Sequence, residues 1–336
     1  MAAKWIADLA AHTRIDDSAR RILTIRLEAV RDQLSPALTE AEKDPEHVHQ
    51  LRVSTRRARA ALDVFESCLP AKVYRKAKKR LRSIRRAAGE ARDWDVFLDS
   101  LLAKQVGRQR HRFDFLVGFT VSQRWLARTN LEQLGDEYPF AFDRFLAETV
   151  ASVQRSRLPD CDGLIDLARP VLANVLQEFV LASHGNLVDE GPLHQLRITG
   201  KKLRYSMELF ASCFDGPFRT ELYPQVEEMQ EILGQINDSY VAIRRLEGIL
   251  GGFRVMLPAA SKNFQETLRD LIDFYRRRLP ALQVQFASWL ASWREAGAEA
   301  NFVALLLPPA VKPASISVPF PGLRQDSEPS PLLKSA

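Results

Sequence analysis

Apolar residues recur along most of the chain at intervals of three and four, the spacing of one buried face of an α-helix. No stretch alternates with the period of two that a half-buried strand needs, so the pattern predicts an all-α protein. Asp16-Asp17-Ser18 can open a helix running to about Glu42, and the turn Asp44-Pro45-Glu46 opens a second that ends near Leu69-Pro70. Ala71–Ala88 and Asp93 to about Val106 read as two further helices parted by Gly89, followed by segments near 113–133 and 137–157. After the break Leu158–Gly163 the scheme repeats, with helices near 164–184, from His194 to about Phe214, and near 218–233, 236–250 and 259–294. Short turns between helices in this order predict two antiparallel bundles, 1–157 and 158–296. From about Gly297 onward the prolines cannot sustain a helix. Residues 297–336 therefore read as a mostly disordered Pro-rich tail, with Phe302–Leu307 packed on the body.

The bundles are related by more than their periodicity. His49-Gln50-Leu51-Arg52 returns as His194-Gln195-Leu196-Arg197, 145 residues later, and the match continues without a gap. Arg56, Arg57 and Arg59 align with Lys201, Lys202 and Arg204; Phe65, Ser67 and Cys68 align with Phe210, Ser212 and Cys213. Gly89 and Asp93 align with Gly234 and Asp238. Such self-similarity predicts an internal duplication.

Placed on a helical wheel, His49, Arg52, Arg56 and Arg59 fall within an arc of about 80°, opposite Leu51, Ala58, Leu62 and Phe65. Arg75, Lys79, Arg82 and Arg86 make a second stripe, and His194, Arg197, Lys201 and Arg204 a third. Like charges at these spacings repel by a few tenths of a kcal/mol per pair. A sequence shaped by stability alone would intersperse Glu, whereas an anionic ligand would relieve the repulsion. The net charge is +6, yet residues 49–92 hold 14 Lys and Arg against Asp63, Glu66 and Glu90, so that this stretch carries +11 and the rest −5. The concentration predicts a surface for a polyanion.

Other chemistries find less support. The two histidines have no His, Cys or carboxylate placed to complete a metal site and no Ser or Cys nucleophile in a recognisable setting, so no catalytic residue, metal or cofactor is expected. A helix N-terminus among cations should keep both imidazoles neutral, ready to donate a hydrogen bond to phosphate or simply satisfied in place. Asp93 and Asp238 either cap a following helix or orient the basic face. Cys68, Cys161 and Cys213 show no metal spacing and read as structural thiols of a reducing cytoplasm. No segment reaches 18 uninterrupted apolar residues, which excludes a membrane span. Between His49 and Arg92 the aromatics Phe65 and Tyr74 lie on apolar sides, so the cations lack the stacking partners of single-stranded nucleic-acid sites.

His49-x₂-Arg52-Val53-x₂-Arg56-Arg57-x-Arg59, Gly89-x₂-Arg92-Asp93-x-Asp95-Val96, His194-x-Leu196-Arg197-Ile198-x₂-Lys201-x-Leu203-Arg204-Tyr205 and Leu233-Gly234-x₃-Asp238 together resemble the CHAD family of α-helical, histidine-containing domains, over about residues 15–295. The resemblance implies two antiparallel four-helix bundles related by pseudo-twofold symmetry, with a basic groove or pore that binds inorganic polyphosphate, and association with polyphosphate granules. Some relatives add a triphosphatase tunnel domain marked by Glu-x-Glu-x-Lys; that motif does not occur here, and the chain looks like the stand-alone module, which implies no hydrolase activity. One departure stands out: Thr220, Pro224, Glu227 and Glu231 occupy the positions of Arg75, Lys79, Arg82 and Arg86, so the second half should contribute mainly through its His194 helix.

The sequence thus predicts a non-enzymatic polyphosphate-binding protein whose site comprises His49, Arg52, Arg56, Arg57, Arg59, Arg75, Lys79, Arg82, Arg86, His194, Arg197, Lys201, Lys202 and Arg204. The rival readings are a phosphohydrolase or phosphotransferase using His49 or His194, and a protein that reads a nucleic-acid backbone.

Overall fold

The computed structural model describes residues 4–7, 9–103, 113–133, 138–157, 162–256 and 262–307. Among them there is no strand; the order is α1 (Ile15–Thr39), α2 (Glu46–Val64), α3 (Ala71–Leu102), α4 (Asp114–Gln133), α5 (Tyr138–Ala151), α6 (Leu164–Ala182), α7 (Glu190–Phe210), α8 (Tyr223–Met256), α9 (Lys262–Glu295) and α10 (Ala298–Leu306). The first half packs α1, α2 and α3 side by side, with α4 and α5 sharing the fourth position against α3 and α1. The second half pairs α6 with α7, α7 with α8 and α8 with α9, and α10 folds back onto α6 and α9. Each half therefore has the antiparallel bundle order expected from the periodicity.

Local chemistry accounts for the ends. Asp16 and Asp17 lie in the first turn of α1, where carboxylates favour the positive end of the helix dipole; the preceding position is Arg14. Ile22, Leu23, Leu27 and Val30 form the fully buried stripe of α1, and Leu51, Ala58 and Leu62 that of α2. Both α2 and α7 end in a short 3-10 turn, Glu66–Cys68 and Ala211–Cys213, at matching positions. Cys68 is buried and Cys213 half-buried, both as free thiols; Cys161 lies outside the described residues, as do 308–336 of the predicted tail.

Three boundaries differ from expectation: α10 occupies Ala298–Leu306 at the start of the predicted tail, because the prolines begin only at Pro308 and Phe302 and Leu306 are buried against the body. The breaks predicted at Gly89 and Gly234 do not occur: α3 and α8 run straight through them. A lone glycine costs a helix only about 1 kcal/mol, and the apolar stripe of α3 continues past it through Ala91, Phe97 and Leu101, all buried. Asp93 and Asp238 are consequently mid-helix residues rather than caps.

The halves meet along α2 and α7 and along α1 and α6. The segments entering α1 and α6 pair antiparallel at Arg14 and Gly163, with Leu164 N–H donating to the Thr13 carbonyl at 2.8 Å. That junction sets the two histidine-led helices beside each other and so decides where their charges point.

Candidate functional site

Arg52 and Arg56 of α2 face Arg197 and Lys201 of α7. Lys201 is the centre of the group: burial, with Arg56, Arg197 and Arg52 close by and Asp238 opposing, pulls its ammonium down to about 6. Burial likewise brings Arg52 down to about 10, with Arg56, Arg85 and Arg197 adding to the effect and Asp93 offsetting it. Arg197 lies below its ordinary value through burial and Arg56, partly relieved by Asp238. Two carboxylates therefore answer four mutually repelling cations. Arg52 reaches Asp93 at 3.7 Å, and the buried Nε of Arg197 has no hydrogen-bond partner.

Beside this cluster opens a cleft of about 510 Å³, walled by α2, α3, α7, α8 and α9. Its lining holds equivalents at the 145-residue offset: Arg52 with Arg197, Asp93 with Asp238, Val96 with Val241, Phe97 with Ala242, Arg92 with Asn237 and Ser100 with Arg245. Arg52 gains its place by crossing α3 at Gly89, where any β-carbon would collide with its Nη1. His49 lies in the cleft wall, and burial together with Arg92, Arg56 and Arg52 holds its imidazole below the usual range against the pull of Glu46. His194 does not join it; exposed, it borders a separate dimple of about 10 Å³ with Glu190, Leu193 and Tyr240.

The remaining predicted cations divide into three groups. Arg59 and Arg82 neighbour Arg85, whose guanidinium is lowered by burial and then by Arg59, Arg56 and Arg82. Through Arg85 and Arg56 the row Arg75, Lys79, Arg82 and Arg86, exposed on α3, runs on into the cluster. Arg57 and Arg204 turn away to the carboxylate of Glu208, at 2.6 and 3.6 Å. Glu208, 1% exposed, also accepts from Tyr223 Oη at 2.8 Å, and Arg26 lies beside it. Lys202 pairs with Glu178 at 2.7 Å on the outer surface.

The sequence reading missed Arg245, Arg278 and Tyr275 altogether and counted Arg92 in a motif without placing it in the site. Arg245 donates to the Asp93 carbonyl at 2.6 Å and lies 4.0 Å over the Trp94 ring, which fixes it at the wall. Its equivalent is Ser100 and that of Arg92 is Asn237, so neither repeats as a cation, and a search by repetition passes over both. Arg278 reaches the lining from α9, which no motif links to the histidine helices. The aromatic lining residues Phe97 and Tyr275 are 4% and 7% exposed and offer no open ring face. Among the described residues no three His, Cys, Asp or Glu side chains gather as metal ligands would, and no helix is long and apolar enough to cross a membrane.

Comparison with known proteins bears on the same region. Among solved structures the fold is similar to a CHAD domain from the plant Ricinus communis, with a TM-score of 0.67 and 21% identity over 87% of this chain and 95% of that one. It is also similar to PptA from Streptomyces chartreusis, with a TM-score of 0.63 and 16% identity over 83% and 100% of the two chains. No curated protein matches. The CHAD domain model matches residues 21–247, two thirds of the chain and both histidine-led helices, and the chain belongs to the CHAD domain family.

Proposed function

We propose that the protein binds inorganic polyphosphate without transforming it, the chain of phosphates entering the cleft between α2 and α7. One observation carries the reading: Arg52, Arg56, Arg197 and Lys201 crowd together at a cost that the carboxylates of Asp93 and Asp238 offset only in part. Partly buried like charges are expensive unless an anion joins them. Guanidinium forks suit phosphate oxygens, and His49 in its neutral form can add one donor. A polymer of phosphate without bases fits a cleft whose rings are covered. A protein equipped in this way would gather on polyphosphate granules.

The test is calorimetric titration with long-chain polyphosphate at modest salt, together with the double reversal Arg52→Glu and Arg197→Glu. Reversal should weaken binding by at least about 100-fold, as expected when two charge-assisted contacts of about 1.5–3 kcal/mol each are lost. Absence of binding by the wild type, or equal binding by the variant, refutes the reading. Duplex DNA at equal phosphate concentration should fail to displace the polymer.

A further inference from the structure

The cations of α3 are sorted by face. Lys76 is tied to Glu148 at 3.1 Å and Lys78 to Asp63 at 2.8 Å, while Arg80 lies 5.0 Å over the Phe145 ring. Arg75, Lys79, Arg82 and Arg86 share the remaining face, are exposed, and have no ion pair with any described residue. The row is about 16 Å long at 1.5 Å per residue. It adjoins the cleft cluster through Arg85, whose charged neighbours include Arg59, Arg56 and Arg82.

The second half is built the other way at these positions. Glu227 and Glu231 stand where Arg82 and Arg86 would be. A segment near the chain's start lies across this region: Lys4 pairs with Glu227 at 2.9 Å, Trp5 packs edge-on against Tyr223 at 4.6 Å, and Arg26 donates to the Lys4 carbonyl at 3.0 Å. A polyanion leaving the cleft on this side would meet carboxylates and a covered surface.

We propose that the site is in two parts and one-sided. The cleft cluster takes a short run of phosphates, and a long chain continues out over the α3 row and not over the aligned face of α8. Chain length is then read by α3. The inference rests on the polyphosphate reading and adds to it a length preference and a direction.

The test compares tripolyphosphate with long-chain polyphosphate on the wild type and on the quadruple variant Arg75→Glu, Lys79→Glu, Arg82→Glu, Arg86→Glu. These exposed changes leave the core untouched, and circular dichroism and the unfolding midpoint check the fold. The variant should bind the long chain about 100-fold more weakly, with a salt slope shallower by about 3, roughly 0.7 for each lost contact. Its affinity for tripolyphosphate should stay within about twofold, since the interactions of an exposed row with a ligand confined to the cleft are screened. Equal losses for both ligands, or no loss for either, overturn the division into two parts. So does a wild type that binds the long chain and not tripolyphosphate. If neither ligand binds the wild type, the parent reading falls and this one with it.

Discussion

Positions that align at the 145-residue offset carry opposite kinds of charge chemistry in the two halves. In the first half, Asp63 meets Lys78 and the Tyr74 hydroxyl near the surface, both ion-pair members being at least 30% exposed. In the second, the equivalent Glu208 is 1% exposed and holds Arg57, Arg204 and Tyr223. The first half leaves its excess cations free to face a ligand, while the second turns Arg204 inward and borrows Arg57 from its neighbour. Aligned positions can thus leave an exposed row of cations on one side and a buried ion cluster on the other, with burial deciding which.

The largest expected effect breaks that buried cluster. Glu208→Ala removes the buried carboxylate that Arg57 and Arg204 share beside the buried Arg26 and should lower unfolding free energy by about 3–5 kcal/mol. Asp63→Ala, at the equivalent but solvated site, should cost no more than about 1 kcal/mol. Urea titration measures both. Equal costs would mean that the halves do not differ as their burial indicates.

How far the sequence reaches can be judged at single residues. The stripe of His49, Arg52 and Arg56 and its echo in Arg197 and Lys201 followed from helical spacing, because that spacing fixes which side chains share a face. Spacing says nothing about what stands opposite, however. Arg57 and Lys202 align perfectly, yet one meets Glu208 across the interface and the other Glu178 on the surface. Gly89 and Gly234 read as breaks because glycine is a poor helix former, and tertiary burial on both sides of each overrode that propensity. Arg278 was invisible because its contribution comes from α9, whose docking against α8 is a property of the assembled fold.

The next effect concerns protons and sharpens the comparison within the cleft. Lys201 faces Arg52 and Arg56 from α2, Arg197 from its own helix and Asp238 from α8. With its ammonium pulled down to about 6, it is mostly neutral at pH 7 in the free protein. Bound phosphate restores the charged form, so binding takes up a proton. Affinity should rise about 50-fold as pH falls from 8 to 6, and His49, also depressed, adds in the same direction. Calorimetry in buffers of different ionisation enthalpy reads the proton directly. Lys201→Arg, charged throughout, should flatten the profile; an unchanged slope would remove Lys201 from the site. Without ligand the sign reverses. Between about 6 and the ordinary 10.5 the unfolded chain holds a proton that the folded one lacks. Stability therefore falls as pH drops through that window.

The smallest effect separates the two helix glycines. Alanine favours a helix over glycine by about 1 kcal/mol. At Gly234 an added β-carbon meets nothing within 4 Å, so Gly234→Ala should raise stability by up to that amount and leave polyphosphate affinity unchanged. At Gly89 the same carbon collides with Nη1 of Arg52, the far end of a flexible side chain. The helix can accept the methyl, but Arg52 must leave the line that carries it to Asp93 and the cleft. Gly89→Ala should therefore weaken binding about tenfold, the low end for losing one charge-assisted contact, without destabilising the fold to match. Two substitutions identical in sequence terms would then differ in their readout, one in stability and the other in affinity. Wild-type affinity in Gly89→Ala would show that the glycine serves helix packing alone and that Arg52 reaches the cleft by another path.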